Sequence, residues 1–345
     1  MSSKILNGGM IGAGDWSDVQ LSAWAGVPEA RIVALTDRHP ERLRPIVEKW
    51  EISQSFNDFE QMLDEAHLDF VDICTRPYSH AKLTKMAADR RIPVLCQKPF
   101  CQSLAEAREV VDYFKQRGVP LMVNENFRWQ DWHRKMKDLL NGGALGKPFL
   151  ASMHQRHRLT LPYFDHYQGY FADMPRLLLY EVGTHLMDLT RFLFGEPETI
   201  YARLHHISQE VIGEDVQVIT LGYERMSVVI YDSWASVPDP DFDRPADKQR
   251  WYPRRFDIDG TLGTLSLRID GSIHLFTDEG RQAWQCPPDS MRRSHIAGQQ
   301  HFIDCLLNEA EFETSGEDNV KTMALVYTCY RSAEEGRVIR NDYNP

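Results

Sequence analysis

The sequence predicts two domains of different class. One is an α/β half built on a parallel sheet; the other is an α+β half built on a large, mostly antiparallel, open-faced sheet. Three observations predict this. The chain has 345 residues, beyond the roughly 250–300 at which one core stops growing. Up to residue 125, short apolar runs alternate with helical stretches of ten or more residues, the rhythm of βαβ units. Beyond it, strand-like segments succeed one another through short links, as in antiparallel sheets. The expected domains are 1–125 and 126–345.

Composition narrows the function before any motif does. The chain is 42% hydrophobic and 26% charged, with a formal net charge of −11. Nucleic acid is a poor partner for such a chain, because phosphate binding needs a basic face. Met1-Ser2-Ser3-Lys4 leads directly into a strand-like segment without an apolar signal core, and no apolar run approaches 18 residues. Six cysteines are scattered without a C-x-x-C pair, which fits reduced thiols in a cytoplasmic protein better than disulfides or zinc.

Residues 5–11 read as the first strand and 18–25 as a helix closed by Gly26. Between them lies Gly12-Ala13-Gly14-Asp15-Trp16-Ser17, one residue off the G-x-G-x-x-G fingerprint of a Rossmann dinucleotide-binding domain. Gly12 permits the tight turn, and Gly14 lets backbone approach a pyrophosphate at the helix N-terminus. Ser17 is small enough for close packing and is suited to cap the helix. Residues 31–36 read as the second strand, ended by Asp37, 23 residues after Gly14. A carboxylate there suits the adenosine ribose and repels a 2′-phosphate, which favours NAD; the adjacent Arg38, able to pair with that phosphate or stack on adenine, keeps NADP open.

Residues 40–50 and 58–65 read as helices and 69–74 as the third clear strand. The loop Thr75-Arg76-Pro77-Tyr78-Ser79-His80 follows, with Ser79 the expected cap of a helix over 81–89. Val94, Leu95 and Cys96 suit a strand covered on both faces. Pro99 cannot donate to a ladder, so the strand ends on Gln97-Lys98. Lys98 is thereby presented at the carboxyl end of a parallel strand, where ligands bind in open α/β sheets. A helix over 104–116 and a strand over 119–124 lead into Glu125-Asn126-Phe127-Arg128-Trp129.

In the second half, helices are expected over 130–140 and 181–194. Strands are expected over 149–158, 199–205, 216–223, 227–233, 254–259, 263–267 and 272–276. Residues 238–253, rich in proline and aspartate, read as an irregular loop, and the chain ends in helices over 297–308 and 319–335. An antiparallel sheet of this size leaves one face free, a candidate for association into a homodimer or homotetramer.

One helix carries a polar stripe. Leu179, Val182, Leu186, Leu189 and Leu193 form a buried seam, while Glu181, His185 and Asp188 recur at offsets 0, 4 and 7 and share another face. Two acids flanking a histidine suit a general base whose tautomer and charge a carboxylate sets. Ordinary solvated surface, a hydrogen-bonded core histidine and a metal pair compete with that reading. The metal is disfavoured, because no H-E-x-x-H or further cluster supports it, and none is expected.

These parts together resemble the Gfo/Idh/MocA family, the glucose–fructose oxidoreductase and inositol dehydrogenase type. The likeness runs through Ile11-Gly-Ala-Gly14, Asp37-Arg38, Asp72 to Thr75 with His80, Lys98-Pro99, Asn124 to Arg128, Gly143 to Gly146, Gly183-Thr-His185-x-x-Asp188, Ser315 to Asp318 and Arg331 to Arg337. It implies hydride transfer between a sugar or polyol hydroxyl carbon and a nicotinamide cofactor. The family's E-K-P lysine aligns with Lys98, and its D-x-x-x-H pair with Glu181 and His185, so these are the expected catalytic residues. Ser17, Gln97 and Glu181 depart from the family's Gly, Glu and Asp. Cofactor contacts are expected from Gly12, Ala13, Gly14, Asp15, Trp16, Ser17, Asp37, Arg38, Thr75, Arg76, Pro77, His80, Gln97, Lys98 and Asn126. Substrate contacts are expected from Arg128, Trp129, Arg156, His157, Tyr163 and Asp188. Two alternatives stand beside dehydrogenation: NAD-assisted processing of a glycoside, and a non-catalytic dinucleotide or sugar sensor.

Overall fold

The structure, a computed structural model, describes residues 4–158, 169–237 and 254–342. Tyr163 and the loop 238–253 lie outside the described residues. The chain forms two compact units, Met1–Asn126 with Arg292–Met323, and Phe127–Met291 with Ala324–Pro345.

The first unit alternates β1 (Leu6–Ile11), α1 (Ser17–Trp24), β2 (Ala30–Thr36), α2 (Pro40–Trp50), β3 (Gln54–Phe56), α3 (Phe59–Glu65), β4 (Phe70–Ile73), α4 (Pro77–Asp89), β5 (Val94–Gln97), α5 (Leu104–Arg117) and β6 (Leu121–Asn124). The sheet is parallel, in the order β3-β2-β1-β4-β5-β6. Strand order reverses between β1 and β4, so their carboxyl ends open a crevice for a ligand. Every residue of β4, β5 and β6 is buried, as expected of strands covered on both faces.

A segment late in the chain completes this unit. Residues 292–323, expected in the second domain, belong to the first unit. Phe302 and Ile303, on the helix Ser290–Asn308, complete the core formed by Leu6, Trp24, Phe70, Leu95 and Met122. Thr314 then covers the edge strand: Val123 N–H donates to Thr314 O at 2.9 Å, and Thr314 Oγ1 donates to Val123 O at 2.7 Å.

Two expected caps are corrected. Ser17 is the first residue of α1, and its Oγ donates back to Gly14 O at 2.6 Å. Ser79 lies inside α4, which begins at Pro77, where a fixed φ suits the first helical position and no N–H is lost. Ser79 Oγ donates to Arg76 O at 2.8 Å. Strand β3, three residues long, is too short to show a period in the sequence.

The second unit holds α6 (Asp131–Asn141), β7 (Pro148–Arg156), α7 (Thr184–Phe194), β8 (Thr199–His205), β9 (Val216–Gly222), β10 (Ser227–Ser233), β11 (Arg255–Gly260), β12 (Gly263–Leu267), β13 (Ser272–Thr277), β14 (Gly280–Gln285) and β15 (Ile339–Arg340). Its nine-stranded sheet runs β14-β13-β12-β11-β7-β10-β9-β8-β15, with β7 and β10 parallel and the other pairs antiparallel. One face is core, with Met153, Ile219, Leu221, Ile230, Phe256 and Ile258 buried; the alternating positions Leu150, Val218 and Tyr231 are exposed. The terminal strands β14 and β15 escape the sequence reading because one is almost wholly exposed, with no apolar alternation, and the other has two residues.

Candidate active site

In the first unit, the turn after β1 is one that only glycine can make. Gly12 has φ +108°, and a Cβ on it would stand 2.1 Å from Cys74 O. At Gly14 a Cβ position has nothing within 4 Å, so the loop leaves open space beside its backbone. Gly14 and Asp15 are exposed and Trp16 is half-buried. Asp37 closes the loop from β2: its Oδ2 accepts from Ala13 N at 2.8 Å and its Oδ1 from His39 N at 2.8 Å. Arg38, exposed beside it, donates from Nη2 to Tyr78 OH at 3.3 Å. An open backbone at a helix N-terminus, next to a fixed carboxylate at the end of β2, fits a dinucleotide.

At the end of β5, Lys98 N–H donates to Gln97 Oε1 at 2.9 Å. This backbone donor fixes the orientation of the amide, and Gln97 Nε2 is then a buried donor without a hydrogen-bond partner among the described residues. Such a donor fits an acceptor brought by a ligand. Lys98 is half-buried. Thr75 is half-buried and bonds Ser79 through its hydroxyl at 2.8 Å, Arg76 is exposed, and Pro77 opens α4.

His80 departs from expectation. It is fully buried, and both ring nitrogens face main-chain carbonyls, so its ring serves the protein backbone and not a cofactor. Asn126 is also buried, with Nδ2 donating to Ser294 Oγ at 2.9 Å. It borders a polar network that sequence reasoning missed: Gln20 Oε1 accepts from Asn124 Nδ2 at 2.9 Å and from Gln299 Nε2 at 2.7 Å. His295 stands edge-on to Trp16, ring centroids 5.7 Å apart. Glu125, fully buried, follows Asn124, which pairs with Gln97 on the adjacent strand. The only available signal for Glu125 was an acid directly after a buried strand.

The second unit carries the histidine. Residues Leu179–Gly183 form one π-helical turn that runs into α7. Its start is buried, and Glu214 satisfies the exposed backbone donors there: Oε1 accepts from Leu177 N at 3.0 Å and Leu179 N at 3.1 Å. Glu181, His185 and Asp188 are all buried, as is every residue from Thr184 to Arg191. The solvated-surface reading therefore falls.

The ring of His185 stacks on Phe127, centroids 4.0 Å apart and planes 4° apart. Phe127 is held in turn by His133, whose Nδ1 donates to Phe127 O at 2.9 Å. Burial pushes the His133 imidazole down to about 3, so it is neutral. Arg128 and Asp188, both expected against substrate, are turned on each other: Nε–Oδ2 2.6 Å and Nη2–Oδ1 2.7 Å. Arg134 lies over the Trp129 ring at 4.0 Å. Arg156 ends β7, half-buried, and His157 N donates to Ser233 O at 2.7 Å. Among the described residues, no group of three or more His, Cys, Asp or Glu is arranged to hold a metal ion, and no helix is long and apolar enough to cross a membrane.

Comparison with known proteins adds two relatives, one solved structure and two family matches. A D-apiose dehydrogenase of Paraburkholderia graminis is 36% identical over 350 residues, covering 97% of this chain and 90% of that one. A second, from Rhizobium rhizogenes, is 33% identical and covers 98% of each. An oxidoreductase of Agrobacterium radiobacter, crystallised with NAD+, L-tartaric acid and magnesium, superposes with a TM-score of 0.89 at 32% identity, covering 98% of this chain and 99% of that one. Residues 6–125 match the oxidoreductase family with an NAD-binding Rossmann fold, and residues 133–266 match the C-terminal domain that accompanies it. The glycine turn, the anchored Asp37 and the sheet order thus have their place: the chain belongs to the Gfo/Idh/MocA family of NAD-binding oxidoreductases.

Proposed function

We propose that this protein is an NAD-dependent dehydrogenase of a small sugar or polyol, taking a hydride from a hydroxyl-bearing carbon. The observation that carries the proposal is Lys98 at the carboxyl end of β5, in the sheet whose glycine turn and Asp37 fit a dinucleotide. When bound, the nicotinamide supplies the hydride acceptor. Gly12, Ala13 and Gly14 would hold the pyrophosphate, Asp37 the adenosine ribose, and Gln97 Nε2 an oxygen of the cofactor or substrate.

Oxidising an alcohol requires its proton to leave and its oxygen to carry developing negative charge. Lys98 supplies the positive charge for that oxygen. His185 takes the proton, its ring fixed by the Phe127 stack, with the buried carboxylate of Glu181 assigned to orient the reacting groups. Arg128 and Asp188 hold the frame around Phe127 and α7. Because two relatives act on D-apiose, a pentose able to close as a furanose is the substrate of first choice. We also place the enzyme in the cytoplasm, in keeping with six buried cysteines that form no disulfide, and as a homo-oligomer joined through the open sheet face at Leu150, Val218 and Tyr231. Light scattering that returns a monomer mass would remove the last point.

The test follows absorbance at the NADH band with D-apiose, other pentoses, inositols and hydroxy acids, offered with NAD and separately NADP. NAD reduction that Lys98→Ala and His185→Asn each depress by about 10²–10⁴-fold is expected. Losses below tenfold in both variants would sink the assignment. Cofactor binding without turnover would favour the sensor, and sugar release without net NADH the glycoside-processing reading.

A further inference from the structure

We propose that His80 is a positioning residue for Lys98, a strut that holds the turn carrying the lysine against the loop that ends β4. The inference rests on Lys98 acting on the substrate oxygen. His80 sits in the first turn of α4 and is 0% exposed. Its Nδ1 is 3.1 Å from both Pro99 O and Phe100 O, and its Nε2 is 3.0 Å from Thr75 O. The ring therefore spans the carboxyl ends of β4 and β5, which are neighbours in the sheet.

The chemistry of the turn makes such a strut necessary. β5 leaves the ladder at Gln97, and Pro99 has no N–H with which to rejoin one. Pro99 can hold the turn only through its carbonyl oxygen, and His80 meets that carbonyl and the next one, of Phe100. The Nδ1–H tautomer ties down the turn, the Nε2–H tautomer ties down the loop, and the imidazolium ties down both. In each form the ring fills the space and fixes the spacing between residues 75 and 99–100. A displacement of the reacting group of about 1 Å is enough to lose on the order of 10² in rate. Thr84 Oγ1 donates to His80 O at 2.8 Å, which keeps the strut itself on a rigid helix.

The test compares His80→Asn and His80→Gln with wild type for kcat, KM, NAD affinity and Tm, each also in a Lys98→Ala background. Asn reaches one carbonyl set at most; Gln is longer and recovers part of the contact. Expected for His80→Asn is a fall in kcat of about 10–10²-fold, NAD affinity within about threefold and a smaller loss for His80→Gln. In the Lys98→Ala background the same change should cost less than about threefold further, because the group it positions is gone. Wild-type kcat in His80→Asn overturns the inference. So does a loss that multiplies undiminished in the Lys98→Ala background, or failure of both His80 variants to fold, either of which makes His80 a scaffold residue. Lys98→Ala at wild-type rate would sink the reading of Lys98 itself and the strut with it, whereas impaired Lys98→Ala beside intact His80→Asn sinks only the strut.

Discussion

The imidazole of His185 lies flat on the ring of Phe127, 4.0 Å between centroids and 4° between planes. The face of an aromatic ring carries negative charge, so the stack restrains the histidine ring and sets a favourable π-face beside any positive charge it takes up. A base that must accept a proton during turnover gains from both. Phe127→Leu, which keeps an apolar contact but removes the π-face, should lower kcat by about 3–30-fold while leaving NAD affinity unchanged. Steady-state kinetics with a titration of NAD binding would check this; an equal loss in both would mean that Phe127 supports the fold and not the base.

On the proposed assignment, Asp37 sets the choice between the two nicotinamide cofactors. Its carboxylate is fixed by Ala13 N–H and His39 N–H, and Arg38 stands next to it. Asp37→Asn keeps an acceptor for one backbone donor and removes the charge that opposes a 2′-phosphate. The ratio of kcat/KM for NAD over NADP should fall by about tenfold or more, since hydrogen bonds to charged groups contribute about 1.5–3 kcal/mol. Initial rates with each cofactor decide it, and an unchanged ratio would move the discrimination to another residue.

Stability should depend on pH through Asp72. Burial pushes this carboxyl up to about 7, only partly offset by the Trp24 indole N–H, which donates to Oδ2 at 2.7 Å. The unfolded chain titrates the same group near 3.9. The folded state therefore keeps a proton that the unfolded chain has released. Its contribution to stability is complete below about pH 4 and is lost as pH rises through about 7. Asp72→Asn cannot titrate, so its Tm relative to wild type should climb between pH 4 and 7 and level off above about pH 8. A difference that stays flat across that range would contradict the assignment.

The Arg128–Asp188 pair is bidentate, and both side chains are under a tenth exposed. Asp188→Ala leaves a buried guanidinium without its carboxylate and should destabilise the protein by about 3–5 kcal/mol. Arg128→Met combined with Asp188→Leu should recover most of that loss, because an apolar pair of similar volume carries no buried charge. Urea midpoints of the wild type and the two variants distinguish this from a substrate-binding role, which would lower activity without moving the midpoint.

The sequence displayed its chemistry best where backbone conformation demands one residue type. Gly12 is such a place, as is Pro99, which stops β5 and leaves Lys98 at the strand end. Asp37 was legible because a turn residue at that spacing has one common use. His80 was legible as part of a motif but not as a strut, because its partners are carbonyls that no side-chain pattern encodes. The stripe of Glu181, His185 and Asp188 assumed a uniform α-helix. The π turn over Leu179–Gly183 inserts an extra residue and changes the register of Glu181 against the other two. Arg128 and Asp188 were each named as substrate contacts, but their pairing was not legible, since 60 residues of sequence separate them and only the fold brings them together. The homing of residues 292–323 to the first unit was hidden for the same reason.

That last feature bears on how the protein is made. Phe302 and Ile303 belong to a core whose other members lie between Leu6 and Met122. At a synthesis rate of about 5–20 residues per second, roughly 10–35 s pass between the emergence of residue 126 and that of Phe302. Throughout that interval the nascent first unit lacks part of its interior and leaves the edge of β6 uncovered where Thr314 will pair. A ribosome stalled before residue 290 should therefore display a chain that binds chaperones and yields to protease, and release past residue 323 should end both.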